Sequence, residues 1–432
     1  MLMLQHQHQH TLLRCLRQSY KRYNRYYQHK QQYQYQHQCR SISLLHKKHT
    51  NTNTNTTNTT TAEYACQYQQ KDLDHAIQII QKHDPAGYLP GWLLPTNNNS
   101  MKLAYFAVRA FWIETGLRFT AVTSTTSKAS FPADSSSEDA ATARLRWWEH
   151  QVKDMMMMMM KKTNEDNNQE QNIHKHEWQW QQQPTLRLLH HVIQETTKND
   201  ISINANANAN NNIDNKEQLL YSYLLNVLQG RKNDINIKQY STLQSLEEHA
   251  LLSCGSLFQF TLLAGSGNDN HNILPETHPI TFQAAKYIGI GHGLTNALRT
   301  SIPVLSTTGK LIVLQDLCDQ YQVKSPRYLL SALGQGDKVA HETLAKAIQA
   351  IVDRARHNFQ QARHLRQDIL TKEQCPRALP VFLPALASET FLQRLERANY
   401  NLTDRNHLRN VSYTEHAQCA MRMVWAYYQK KY

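Results

Sequence analysis

The chain has 432 residues, 40% of them hydrophobic and 19% charged, with a formal net charge of +13. A chain this long is not a miniature scaffold, but its Gln-, His-, Asn- and Thr-rich tracts bury too little apolar surface to offset the entropy of ordering them, so it is not core throughout. Nine of the 47 Lys and Arg fall in residues 1–62, which hold no Asp or Glu; the remainder nets only +4, and with no recognition motif beside the charge nucleic acid is excluded as a partner.

In chain order, the leader comes first. Leu12, Leu13, Leu16 and Tyr20 alternate with Arg14, Arg17, Lys21, Arg22 and Arg25. In a helix these form an apolar stripe beside a cationic one, the character of a mitochondrial presequence. A chloroplast address has a similar character, and a Gln/His tract that is basic by chance is the plain alternative. Residues 49–61 are a Thr/Asn repeat that reads as linker. One domain is expected over 63–432; without its low-complexity tracts it holds roughly 270–290 residues of globular composition, suited to a single domain of upper normal size.

Regular structure is expected from about Asp72, where Leu73, Ile77 and Ile80 share a helix face, with Pro85 and Gly87 ending that helix. A second helix is expected from about Asn99 to Phe119, with Ser100 as N-cap. Inserts at about 120–139, 154–183 and 201–215 read as loops: a Ser/Thr tract, a six-Met run with a Gln/Asn/Trp stretch, and an Ala-Asn repeat. The Met run reads as repeat expansion in a tolerant loop rather than as a contact surface. Helical pattern resumes over Pro184–Thr197 and Glu217–Gln229, then Leu243–Ala264 and Pro279–Thr300, then Ser325–Leu333, His341–Asp368 and a helical tail. Nothing alternates as a strand does, so the fold class is all-α. The longest uncharged apolar stretch, Ala250–Gly265, carries Ser253, Ser256, Gln259 and Thr261 and is shorter than the roughly 20 residues a span needs. The seven Cys show no zinc or redox spacing and read as thiols of a reducing compartment.

Five segments in order are similar to squalene/phytoene synthases. They are Tyr88–Pro95 with Phe106–Phe111, then Arg144-Leu-Arg-Trp-Trp-Glu149, then Leu246–Ala250 with Cys254–Leu257. Gly289-x-Gly-x-Gly-Leu-Thr-Asn-Ala-Leu-Arg299 and Gly309–Asp316 complete the series. The resemblance covers about residues 70–430 and implies an isoprenoid synthase-like helical bundle around an apolar cavity.

Enzymes of that family ionise a diphosphate ester, which departs only when Mg²⁺ screens it, and Mg²⁺ requires oxygen ligands in near-octahedral geometry. The family supplies two Asp-x-x-x-Asp motifs whose spacing puts both carboxylates on one helix face. Matching Arg109 to the family's Arg places Trp112 and Gly116 at the first pair. Glu114, two residues from either, is expected to point away from the cavity. Matching Arg299 places Thr300 and Val304 at the second pair, and no Asp or Glu occurs from Thr277 to Gln315. The expectation is a pseudo-enzyme with no cofactor and no metal.

Lost aspartates beside a retained Leu-Thr-x-x-Leu-Arg and a presequence are similar to the complex I assembly factor 6 group of this superfamily, as is Pro380–Leu386 with Phe391–Leu395. That resemblance implies a matrix-side, peripheral inner-membrane protein of the mitochondrion that helps build the membrane arm of complex I. Its partners would be complex I subunits or other assembly factors, with a lipid or isoprenoid as ligand. An active prenyl synthase with unorthodox ligands and a lipid carrier outside complex I biology are the rival readings.

Candidate cavity residues are Arg109, Trp112, His292, Asn296 and Arg299. The two arginines either hold a phosphate or lipid head group or simply tie helices together through carbonyls and acids. His292, one turn from Asn296, reads as a packed histidine more readily than as a ligand or base. Gly289, Gly291 and Gly293 lack the strand and spacing of a nucleotide loop and read as close helix packing.

Overall fold

The computed structural model describes residues 58–94, 99–116, 137–164, 179–203, 210–237, 239–265, 273–308, 314–323, 326–408 and 413–430. The leader up to residue 57, most of the Ser/Thr tract and Gly309–Val313 lie outside them. The chain divides into residues 1–71 and 72–432; α1 (Asn58–His83) crosses the division, and all the later helices belong to the second unit.

Among the described residues every regular element is helical. After α1 come α2 (Pro85–Leu93), α3 (Asn99–Gly116), α4 (Ser137–Asn164), α5 (Pro184–Ile203), α6 (Asn210–Asn236), α7 (Leu243–Ala250) and α8 (Ser256–Ala264), with a π turn at Leu251–Gly255. They are followed by α9 (Pro279–Thr308), α10 (Gln315–Gln320), α11 (Pro326–Gly334), α12 (Lys338–Thr371), α13 (Pro384–Arg397), α14 (Arg405–Leu408) and α15 (Tyr413–Tyr428). Short 3₁₀ turns at Gln179–Gln182 and Pro376–Phe382 precede α5 and α13.

Local chemistry places the boundaries. Asp84 caps α2, its side chain accepting from the Gly87 amide at 3.1 Å, and Pro85 opens the helix. Pro85 and Gly87 therefore begin a helix where the sequence pattern had them ending one; α1 stops at His83, one residue before the cap. Thr242 and Ser245 form a reciprocal capping box on α7, and Asp337 caps the long α12. The expected cap Ser100 lies inside α3, which starts at Asn99 and ends at Gly116.

The loops expected at the second and third inserts are partly helix. α4 runs through the Met run to Asn164, and Met155 is fully buried. Unbranched Met loses little rotamer freedom in a helix, so the run extends α4 instead of breaking it. At the Ala-Asn repeat only residues 204–209 fall between α5 and α6. Residues 58–61 of the Thr/Asn linker are likewise helical.

The most extensive helix contact is α9 against α12. α9 also meets the π turn, and the glycines explain how. A Cβ on Gly289 would overlap the Gly255 backbone, one on Gly293 would come 2.5 Å from the Ala250 Cβ, and one on Gly291 would reach 2.7 Å from the Phe359 ring. The Gly-x-Gly-x-Gly run is thus a packing device on two sides of α9. On the opposite side of the bundle, Phe111 of α3 meets Trp148 of α4 edge-on at 5.5 Å, which places Trp148 in the core and leaves Trp147 half-buried.

Candidate functional site

The candidate residues gather where α3, α6, the α7–π–α8 segment and α9 converge. Arg109 on α3 is 4% exposed. It forms an ion pair with Asp84, and its guanidinium lies 5.5 Å from the Tyr105 ring, while the Tyr105 hydroxyl donates to the Gly87 carbonyl at 2.7 Å. Burial works against the Arg109 charge, but the opposing Asp84 outweighs it and the guanidinium is held above its ordinary value.

Trp112, one turn on, faces Arg231 of α6. The Arg231 guanidinium lies 4.7 Å over the Trp112 ring and donates to the Trp112 carbonyl at 2.9 Å. It also fills the space beside Gly116, where an added Cβ would meet its atoms, Nε at 2.9 Å among them. The Arg231 cation thus lies against both Trp112 and Gly116. Arg231 in turn meets Asp234 at 3.3 Å, and Asp234 meets His249 Nε2 at 3.2 Å. Burial favours the neutral carboxyl of Asp234, but His249 and Arg231 hold it below its ordinary range. Glu114 points elsewhere: its carboxylate lies 3.2 Å from His75 Nε2 and accepts from Gln183 Nε2 at 3.2 Å.

On α9, His292, Asn296 and Arg299 are spaced four and three residues apart and share a face. His292 Nδ1 is 2.8 Å from Ser388 Oγ of α13, its Nε2 is buried with no hydrogen-bond partner, and Phe258 meets the ring edge-on. Burial, reinforced by the charges of Arg109 and Arg299, pushes the imidazole well below its usual range, so it is neutral at pH 7. Arg299 is half-buried. It donates to Asn296 Oδ1 at 3.2 Å and to the Ala387 carbonyl at 3.1 Å and stacks 4.9 Å from Phe391. Burial pushes it down to about 10, with Arg394 and Arg109 adding to the effect and Asp84 opposing it. Thr300 is exposed and returns its hydroxyl to the Asn296 carbonyl at 2.9 Å.

Cys254 of the π turn links the two halves. Its thiol lies 3.9 Å from Asn296 Nδ2 and is held above its usual value by burial, against the lowering charges of Arg231 and Arg109. Among the described residues no group of three His, Cys, Asp or Glu is placed to hold a metal ion.

The structure thus brings all five sequence candidates to one region, with Trp112 on the Arg231 side and the α9 trio on the Ser388 side. Sequence reasoning missed Arg231, Asp234, Ser388 and Asp84. Only Asp84 carried a local signal, an acid immediately before the Pro that opens a helix.

Residues 128–413 match the family model described as squalene/phytoene synthase. The chain is similar to "NADH dehydrogenase (ubiquinone) complex I, assembly factor 6" of Mus musculus, 22% identical over 187 residues, 43% of this chain and 50% of that protein. It is similar to the protein of the same name from Homo sapiens, 21% identical over 330 residues, 76% of this chain and 75% of that one. The chain therefore spans half the length of the mouse relative and three quarters of the human one. Among solved structures it resembles a dehydrosqualene synthase in complex with ligand, with a TM-score of 0.55 and 18% identity over 85% of this chain and 99% of that one. That likeness shows the shared isoprenoid synthase helical fold.

Proposed function

The chain belongs to the squalene/phytoene synthase family, and from that premise we propose that it is a non-catalytic member, working in the mitochondrion at an early step of complex I assembly. Its place is the matrix side of the inner membrane, where it binds a nascent membrane-arm subunit, another assembly factor or a lipid.

One observation carries the non-catalytic half of this reading: the Arg231 guanidinium lies against Trp112 and Gly116, where the family's enzymes aim a carboxylate pair. Two like charges cannot share such a place, so a divalent ion there would meet repulsion and no α3 carboxylate. Without that ion a diphosphate is a poor leaving group. The assembly half is supported by the relatives, whose names state that role.

Two measurements test the reading separately. Purified protein incubated with farnesyl diphosphate and Mg²⁺ should release no pyrophosphate; release that disappears in Arg299→Gln overturns the non-catalytic reading. Deleting the gene should deplete complex I on native gels and leave sterols and carotenoids unchanged. Normal complex I in the deletion strain overturns the assembly role.

A further inference from the structure

We propose that α15 lies flat on an anionic bilayer surface, docking through Met421, Trp425 and Tyr428. These side chains are 66%, 64% and 75% exposed. Their spacing of four and three residues puts them on one stripe of the helix. The other face of the same helix is already satisfied: Met423 and Ala426 are buried against Leu383, Leu386 and Ala387. α15 therefore presents an apolar face to its own domain and a second one to solvent. Single exposed apolar residues are ordinary, but a row of Met, Trp and Tyr on one helix marks an interaction surface.

The chemistry of the row selects the occupant. Trp and Tyr favour the boundary between head groups and acyl chains. From His416 to Tyr432 the sequence carries Arg422, Lys430 and Lys431 and no acid. Arg422 and Lys430 are exposed, and Arg422 donates to the neutral acceptors Gln393 Oε1 at 3.3 Å and Thr390 Oγ1 at 3.5 Å. Glu415 lies in the first turn of the helix, six residues before Met421, so the end of the helix that carries the stripe is cationic and complements anionic head groups. A second copy of this chain, docked through the same face, would set those cations against each other. Tyr428 and Lys430 also border a groove of about 390 Å³ shared with Arg377, Leu379, Leu383 and Tyr427, a recess beside the stripe with room for part of a lipid. No described helix is long and apolar enough to cross a membrane, and this mode of contact requires none.

The proposal deepens the membrane-side reading above but is tested apart from complex I. Full-length protein is floated with phosphatidylcholine vesicles, with and without phosphatidylglycerol. Binding is expected to the anionic vesicles, to weaken with salt, and to fall roughly tenfold in Trp425→Ser, by loss of interfacial apolar area. Trp425→Phe should keep most of the binding. Val339→Ser, on the 69% exposed Val339 of α12, should bind as the parent does. Circular dichroism melts identify any variant that fails to fold, and Arg422→Gln supplies a second, surface-only loss of affinity. Flotation with neither vesicle, or equal binding by Trp425→Ser, overturns the proposal. So does light scattering that shows a dimer dissolved by Trp425→Ser without vesicle binding, which would assign the stripe to a second copy.

Discussion

The α3 side and the α9 side of the central site solve the same problem differently. Arg109 and Arg231 on the first side have carboxylate partners, Asp84 and Asp234. On the second, Arg299 has a carbonyl, an amide oxygen and an aromatic face, and His292 has a hydroxyl. The partners set the difference in charge. Arg109 is almost wholly withdrawn from water, where an unopposed charge is costly, and a carboxylate keeps it charged. Arg299 meets an amide oxygen and a carbonyl in place of a carboxylate, so its burial outweighs the more distant Asp84 and its affinity for the proton falls. Arg231 lies against Trp112 and Gly116 of α3, whereas the exposed Thr300 on α9 bonds only its own backbone.

The sharpest way to break this comparison is to remove the acid on the deep side. Asp84→Ala leaves Arg109 buried and unpaired and should cost about 3–5 kcal/mol in urea unfolding. A loss as small as that of an Arg299 substitution would erase the distinction. Arg231→Met comes next. It vacates the space at Gly116 and removes the donor to the Trp112 carbonyl, with an expected loss of about 2 kcal/mol. If this variant also gains measurable Mg²⁺ binding by calorimetry, the cation was what kept the metal out. Arg299→Gln should cost only about 1 kcal/mol, because its acceptors remain reachable by water.

The smallest effect is a slope. His292 is neutral in the fold, while in the unfolded chain it takes up a proton near its ordinary 6.5. Below that pH the unfolded state binds a proton the folded state refuses. The stability tied to this group is therefore complete above 6.5 and is lost as pH falls, by at most about 1.4 kcal/mol per pH unit. Unfolding midpoints at pH 7 and pH 5 should converge in His292→Gln relative to the parent.

Much of this was legible from the chain alone. The lack of any strand-like alternation announced an all-α fold, and the five segments similar to squalene/phytoene synthases announced the bundle. The absence of acids from Thr277 to Gln315 was legible too. The loops expected at the Met run and the Ala-Asn repeat are partly helical, because low complexity does not by itself break a helix. Met has good helix propensity, and one Met of the run, Met155, finds the core. Arg231 was invisible for another reason: it reaches Trp112 from 119 positions away, and no spacing rule extends that far.

Sequence alone determined the helical class, the place of most helices and the absence of acids from Thr277 to Gln315, because these depend on residue type and on neighbours within a turn or two. Only the tertiary structure decided what stands in the vacated space and which charges are paired. Burial and distance between remote helices set those outcomes, and both exist only once α3, α6 and α9 have packed.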